Sequence, residues 1–518
     1  MALTRSGPFT RIGLLAMLLS GCFAGTGRAA EPPLVLTMAF PEDLPTVDPA
    51  VYYDLAGSPL QQSVYEGLLR YDESQTLVPA LATSWEVSSD GLTATFHLRP
   101  NVKFQDGSDF DAASVKASWA REAALNKGPS YMVKMIKSVD LPDGRTVVAH
   151  LAYPDSQFLA YQASLWGPKI ISPKAMAEHG GDQGAAWFTD HAVGTGPYRL
   201  SSFVRGQQYT LDRFESYWGD VNAKAPSQIA IRIIPSTQTQ QLLLTGGQVD
   251  MITHGLPFSQ QAALARMNGV KLRKFDSPKV YAVYMNTQNG PLADVRLREA
   301  LSWAVNRDAI VRGILFGLGK VPTNTYPQSL LATTADMPAY DVEKAKALLQ
   351  ADGAKDLHLT YTYPSGRPVW GQIGEALKND FSKIGVTLDL KPLTVSAMFG
   401  QVLAPKAAAD LMGMDLMGDT AAPESWAYVM WDSKGPLNFS SLSDPELDEA
   451  IDVASSKGGE AKRQEAYRTI DKLVRKNAPA LFLAWPQEAI VSGPRVANYA
   501  YVPIIPWTPV PASIEMTR

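Results

Sequence analysis

Cysteine is almost missing from this chain: Cys22 is the single thiol in 518 residues. An internal disulfide is therefore excluded, and so is a cysteine-rich metal site. A chain of this length buries enough surface to need neither. Histidine is scarce too. Its six copies, at 97, 150, 179, 191, 254 and 358, include no pair at ligand spacing. No G-x-S-x-G elbow, P-loop, H-E-x-x-H or helix-opening G-x-G-x-x-G occurs, so an enzyme reading lacks a positive feature. Cations do not exceed anions: 47 Lys and Arg stand against 51 Asp and Glu, a formal net charge of −4. That excludes a general basic surface for nucleic acid. No apolar run approaches the about 20 residues of a membrane-spanning helix. Low-complexity tracts and internal repeats are also lacking, which argues against a solenoid.

What is present begins at the N-terminus. Arg5 and Arg11 precede a short apolar run at 12–20; small residues follow, then Glu31-Pro32-Pro33. Charge, apolar run and small residues in this order predict a secretory signal. Without the two arginines the net charge becomes −6. Leu19-Ser20-Gly21-Cys22 resembles the lipobox of bacterial lipoproteins. That predicts a signal over 1–21, with Cys22 as the lipidated first residue of the mature protein and two acyl chains as a stable anchor. The alternative is cleavage after about Ala29, which discards Cys22. Either way the mature protein is expected in the periplasm or cell envelope, touching membrane only through such an anchor.

With 46% hydrophobic residues, a mature chain of roughly 490 residues predicts two or three domains. The pattern is mixed α/β. A strand is expected near 34–39 and a helix over 58–69. Asp90-Gly91 between two strand-like runs predicts a hairpin. Helices are expected at 294–315, 342–349, 369–384, 446–453 and 461–475, and strands at 385–390 and 480–485.

Four stretches stand out together: WEVSSDGLTATFHLRPNVKFQDGSDFDAASVKASW at 85–119, GTGPYRLSSFVRGQQYTLDRFESYWG at 194–219, QQLLLTGGQVDM at 240–251 and ADVRLREALSWAVNRDAIVRGILFGLG at 293–319. In order and spacing they resemble the family 5 extracellular solute-binding proteins, the peptide and nickel group of ABC transporter receptors. The resemblance implies an α/β, two-lobed periplasmic-binding-protein fold with the ligand cleft between lobes. It implies a discontinuous domain I (31–65, 194–288 and 490–518), an inserted domain II (66–193) and a domain III (289–489). Most of the motif residues read as structural: turns, core aromatics, and Gly194 and Gly196 as positions of unusual φ/ψ. Arg296, Arg298 and Arg307 read as structural ion pairs.

The resemblance also implies a site. Peptide-binding members receive the ligand ammonium on an aspartate of the far lobe, and Asp419 takes that position in Met414–Pro423. Its alternative is a cap on the following helix. Leu416 and Thr420 stand where the family has aromatic residues. The arginine that holds a dipeptide carboxylate has no match; Arg367 is the nearest cation. On the near lobe, Tyr53, Asp54 and Leu55 match the segment whose backbone pairs with bound peptide. Asn286 and Trp426 are further cleft candidates, as is Trp303, with core packing the alternative for both tryptophans. The implied function is the substrate-binding component of an ABC importer. It would carry a peptide or peptide-like solute to a membrane permease and its ATPase subunits, as a monomer and without cofactor or metal. Two alternatives remain: the same fold holding an opine, sugar or chelated nickel, and an exported hydrolase.

Overall fold

The computed structural model describes residues 33–327, 329–331, 337–353, 356–402, 404–455 and 460–517. The signal and lipobox readings, Cys22 included, lie outside these residues. From Leu34 onward the chain forms one compact unit whose two lobes share a twelve-stranded mixed sheet.

Its main path runs Val386–Leu393, Leu357–Pro364, Leu411–Leu416, Val280–Met285, Ala480–Ser492, Met251–Ile252, Val35–Phe40, Gln228–Ile233, Gln208–Arg213 and Tyr198–Val204. The strand expected at 480–485 continues to Ser492, and this length joins the lobes. Its first part pairs antiparallel with Val280–Met285 of the far lobe. Its last part pairs with Lys271–Asp276 of the near lobe. Between them Trp485 and Pro486 meet the two-residue strand Gly319–Lys320. Proline gives no N–H to a ladder, so a change of partner is where a long central strand tolerates one. A second link is Ser277-Pro278-Lys279, which joins Lys271–Asp276 to Val280–Met285. Lys279 and Glu488 form a nearly buried ion pair across it, Nζ to Oε1 2.8 Å.

The far-lobe strand Val280–Met285 is apolar on both faces because helices cover both. Tyr281, Val283 and Met285 enter one core with Trp370, Leu377 and Phe381 of the helix Pro368–Ser382. Val280, Ala282 and Tyr284 enter the other with Trp426 and Trp431 of the helix Pro423–Trp431. The helix expected over 294–315 is broken: Val295–Ala304 ends at extended Val305, and Arg307–Ala309 starts anew after Asn306. Arg298 and Arg307 are buried there, but they clamp carbonyls instead of forming the expected ion pairs. Arg298 holds Asn477 and Leu292, and Arg307 holds Phe482 and Ser302.

The near lobe carries a separate four-stranded antiparallel sheet whose hairpin turns at Asp90-Gly91, with Gly91 at φ 67°. The helix Ala112–Leu125 packs on it, capped by a reciprocal Asp111–Ser114 box. From this helix Arg121 reaches Asp48 with two bonds of 2.8 and 2.6 Å, both side chains buried. Gly194 and Gly196 have ordinary φ, contrary to expectation. They are glycine because a Cβ would lie 2.1 Å from the Val64 carbonyl oxygen and 2.5 Å from that of Ser63.

Candidate ligand cleft between the lobes

The strand Leu411–Leu416 ends at the crossing, since Leu416 pairs with Val280. The loop after it, 417–422, leaves the far lobe and packs on the near one. Met417 and Ala421 join the near-lobe core that contains Phe158, Tyr161 and Trp166. Four cross-lobe hydrogen bonds fix the loop and the helix behind it. The Ser164 hydroxyl donates to the Asp419 carbonyl (2.7 Å) and Thr420 Oγ1 to Gln157 Oε1 (3.2 Å). The Ala421 N–H donates to the Tyr71 hydroxyl (3.2 Å), and Ser156 Oγ to Glu424 Oε1 (3.3 Å).

This loop delivers the Asp419 carboxylate to the near lobe. The Tyr53 hydroxyl donates to Oδ2 at 2.8 Å, and the Tyr131 hydroxyl donates to the same oxygen. Burial raises the Asp419 carboxyl above its usual range, and the two hydroxyls only partly oppose this. Among the described residues no cation bonds to it. Burial first, and the same carboxylate second, push both tyrosine hydroxyls upward. Tyr53 meets Trp166 edge-on at 5.1 Å, and Tyr131 meets Tyr161 at 5.8 Å. Asp419 is not a helix cap, because the next helix begins from Ala422.

Tyr53 and Asp419 are thus brought together. The N–H groups of Tyr53, Asp54 and Leu55 donate to no described residue, whereas the Asp54 carbonyl accepts from Trp166 Nε1 and that of Leu55 from Ser58. Arg367 borders the cleft, but its Nη1 holds Asp415 at 2.7 Å. Burial raises the Asp415 carboxyl, yet Arg367 and Lys279 outweigh it, with a net shift downward. Four candidates are corrected. Asn286 lies at the far end of Val280–Met285, roughly 20 Å from the Asp419 end at strand spacing. There its amide donates to the Pro405 carbonyl and its Oδ1 accepts from Gln288. Trp426 is fully buried in the far-lobe core, and Leu416 packs in the same cluster. Trp303 packs against the other far-lobe core under the Lys344 ammonium.

Sequence reasoning missed Tyr131, Ser164 and Gln157, which all belong to the near lobe. One signal was available for the first. Gly128, at φ 47°, opens the turn before Tyr131, where a Cβ would lie 2.6 Å from the Val51 carbonyl oxygen. That close approach seats the Tyr131 turn on the Tyr53 segment.

Residues 76–438 match the family described as bacterial extracellular solute-binding proteins, family 5. The chain belongs to this family. As a family 5 solute-binding protein it is 29% identical to the "Probable D,D-dipeptide-binding periplasmic protein DdpA" of Escherichia coli (strain K12), over 95% of this chain and 96% of that one. In fold it is similar to NikA from Brucella suis in complex with Fe(III)-EDTA (TM-score 0.84, 22% identity, 93% and 100% of the two chains). It is likewise similar to the periplasmic binding protein DppA from Helicobacter pylori in complex with the peptide STSA (TM-score 0.78, 23% identity, 94% and 99%). This solute-binding protein also holds a cavity of about 780 Å³ inside the near lobe, lined by Glu66, Arg70, Arg99, Lys169 and Trp218. No far-lobe residue lines it, so it is separate from the cleft that contains Asp419. No described helix is long and apolar enough to cross a membrane.

Proposed function

We propose that this chain captures a peptide-like solute by its protonated amine, on Asp419, and presents the closed form to an ABC permease whose ATPase subunits supply the energy. It does so outside the inner membrane and performs no chemistry. The observation that carries this reading is a carboxylate between two lobes, touched by two tyrosine hydroxyls on one oxygen and, among the described residues, by no cation. An ionised carboxylate in such a place is costly unless a cation pairs with it, and an ammonium supplies a charge-assisted bond. The unused N–H groups of Tyr53, Asp54 and Leu55 support an extended ligand held by main-chain bonds. Ligand contacts to both lobes then favour closure by population shift.

Asp419→Asn keeps the shape and removes the charge. Calorimetry with amine-bearing peptides should show affinity weakened by about 1.5–3 kcal/mol, the scale of a charged hydrogen bond. Unchanged affinity would remove Asp419 from the site. The sign with pH follows from the raised carboxyl. Ammonium binding needs the ionised form, so affinity should fall as pH drops through a value above the ordinary aspartate range, and Asp419→Asn should lose that dependence.

The pairing of Arg367 with Asp415 favours a second reading, in which the solute on this fold is an opine or other amine-bearing compound instead of a plain dipeptide.

A further inference from the structure

The near-lobe cavity of about 780 Å³ is lined by three cations, Arg70, Arg99 and Lys169. None of them forms an ion pair with a described residue. The two arginines are anchored through Nε at consecutive carbonyls. Arg70 Nε donates to Pro79 at 3.4 Å and Arg99 Nε to Ala80 at 3.0 Å. The Arg99 guanidinium also lies over the Trp218 ring, 4.1 Å from its centre. Trp218 is fixed in turn, because its Nε1 donates to Glu66 Oε2 at 2.8 Å. The Nη groups of both arginines donate to no described residue. A guanidinium pinned in this way gives up little freedom when its fork takes an oxyanion.

Lys169 is the third cation. It is buried, and its ammonium makes one described hydrogen bond, to the Ser164 carbonyl at 2.6 Å. An ammonium carries three N–H donors, so two are left over. Burial lowers it to about 8, with Glu122 and Glu66 pulling the other way through charge. At neutral pH it therefore stays protonated. A buried charge with no partner in contact is costly, and an anion in the cavity would offset that cost.

The carboxylates of the lining are not available for this task. Glu66 Oε1 accepts from the Tyr217 hydroxyl at 3.0 Å, and Oε2 accepts from Thr195 Oγ1 and Trp218 Nε1, both at 2.8 Å. Burial raises the Glu66 carboxyl in spite of these donors, which favours its neutral form. Asp72 Oδ1 accepts from the Ser74 and Thr76 N–H groups of its own turn. Glu73 and Asp220 are exposed, where water and salt screen them.

We infer that this cavity is a second ligand site, separate from the cleft, and that it takes a small organic anion carrying two or more negative charges on carboxylate or phosphate oxygens. Arg70 and Arg99 supply forks that match such oxygens bidentately, and Lys169 supplies a compact charge. The volume is that of a site for a small organic molecule, about 300–1,000 Å³, and exceeds what a single inorganic ion fills.

The test is calorimetry on the purified chain at constant ionic strength, with citrate, glucose 6-phosphate and, as the uncharged control, glucose. Citrate or glucose 6-phosphate should bind, which tells carboxylate from phosphate, and glucose should not. Arg70→Gln, at an exposed position, should weaken the bound anion about tenfold or more. Arg99→Gln should do the same, with folding checked by circular dichroism. Affinity should fall as pH rises through about 8, where Lys169 loses its proton, and Lys169→Met should remove that dependence. The inference is overturned if neither anion binds, if glucose binds as tightly, or if binding is indifferent to both arginine substitutions. Affinity that stays flat across that pH window overturns it as well.

Discussion

At the scale of single residues, Asp419 was legible because a loop motif places it, while its partners were not. Tyr53 lies in the near-lobe segment singled out by resemblance, but Tyr131 comes from a turn 288 residues from Asp419 in sequence, and nothing local announces that it meets a carboxylate. Arg367 was read as a candidate for a ligand carboxylate; its pairing with Asp415 depends on the strand register that brings Leu411–Leu416 beside it. Gly194 and Gly196 were recognised as special for the wrong reason. Their constraint is the distance to a neighbouring carbonyl, which sequence does not carry. Gly196→Ala should therefore destabilise through overpacking, by about 1–3 kcal/mol, with no change in ligand affinity per folded molecule. Denaturant unfolding beside calorimetry separates the two effects.

At the scale of elements, period and turn chemistry located most strands and helices. They failed where tertiary bonds decide. The 294–315 pattern reads as one helix, yet the Asn306 N–H is taken by Asp380 at 2.9 Å and the helix restarts there. The turn that carries Ser164 shows how burial shapes an element. Lys169 Nζ donates to the Ser164 carbonyl at 2.6 Å, beneath the hydroxyl that holds Asp419. Burial lowers the Lys169 ammonium to about 8, against opposing pulls from Glu122 and Glu66. A folded value below the unfolded one means that the charged amine costs stability. The full cost is present below about 8 and disappears as pH rises to the unfolded value near 10.5. In chemical denaturation, the stability gap between wild type and Lys169→Met should shift toward the wild type across that window. A gap that stays constant with pH would mean the amine is not desolvated as described.

At the scale of the whole molecule, the two-lobed architecture was legible because four motifs recur in a fixed order and spacing. The way the lobes meet was not. The 417–422 loop bridges them through apolar contacts as much as through polar ones, and only the fold brings Met417 and Ala421 onto the core around Tyr161. The long strand Ala480–Ser492 has a consequence in time as well as in space. It lies inside the large sheet and follows every other strand of that sheet in sequence. Until it emerges, Val280–Met285 and Met251–Ile252 each lack the neighbour that joins their halves of the sheet. A chain ending at 479 should therefore show no cooperative unfolding transition and should be cut rapidly by protease, whereas one ending at 517 should fold. On this expectation the two halves of the sheet commit to their native pairing only once residues 480–492 have been made, and the two lobes become native together.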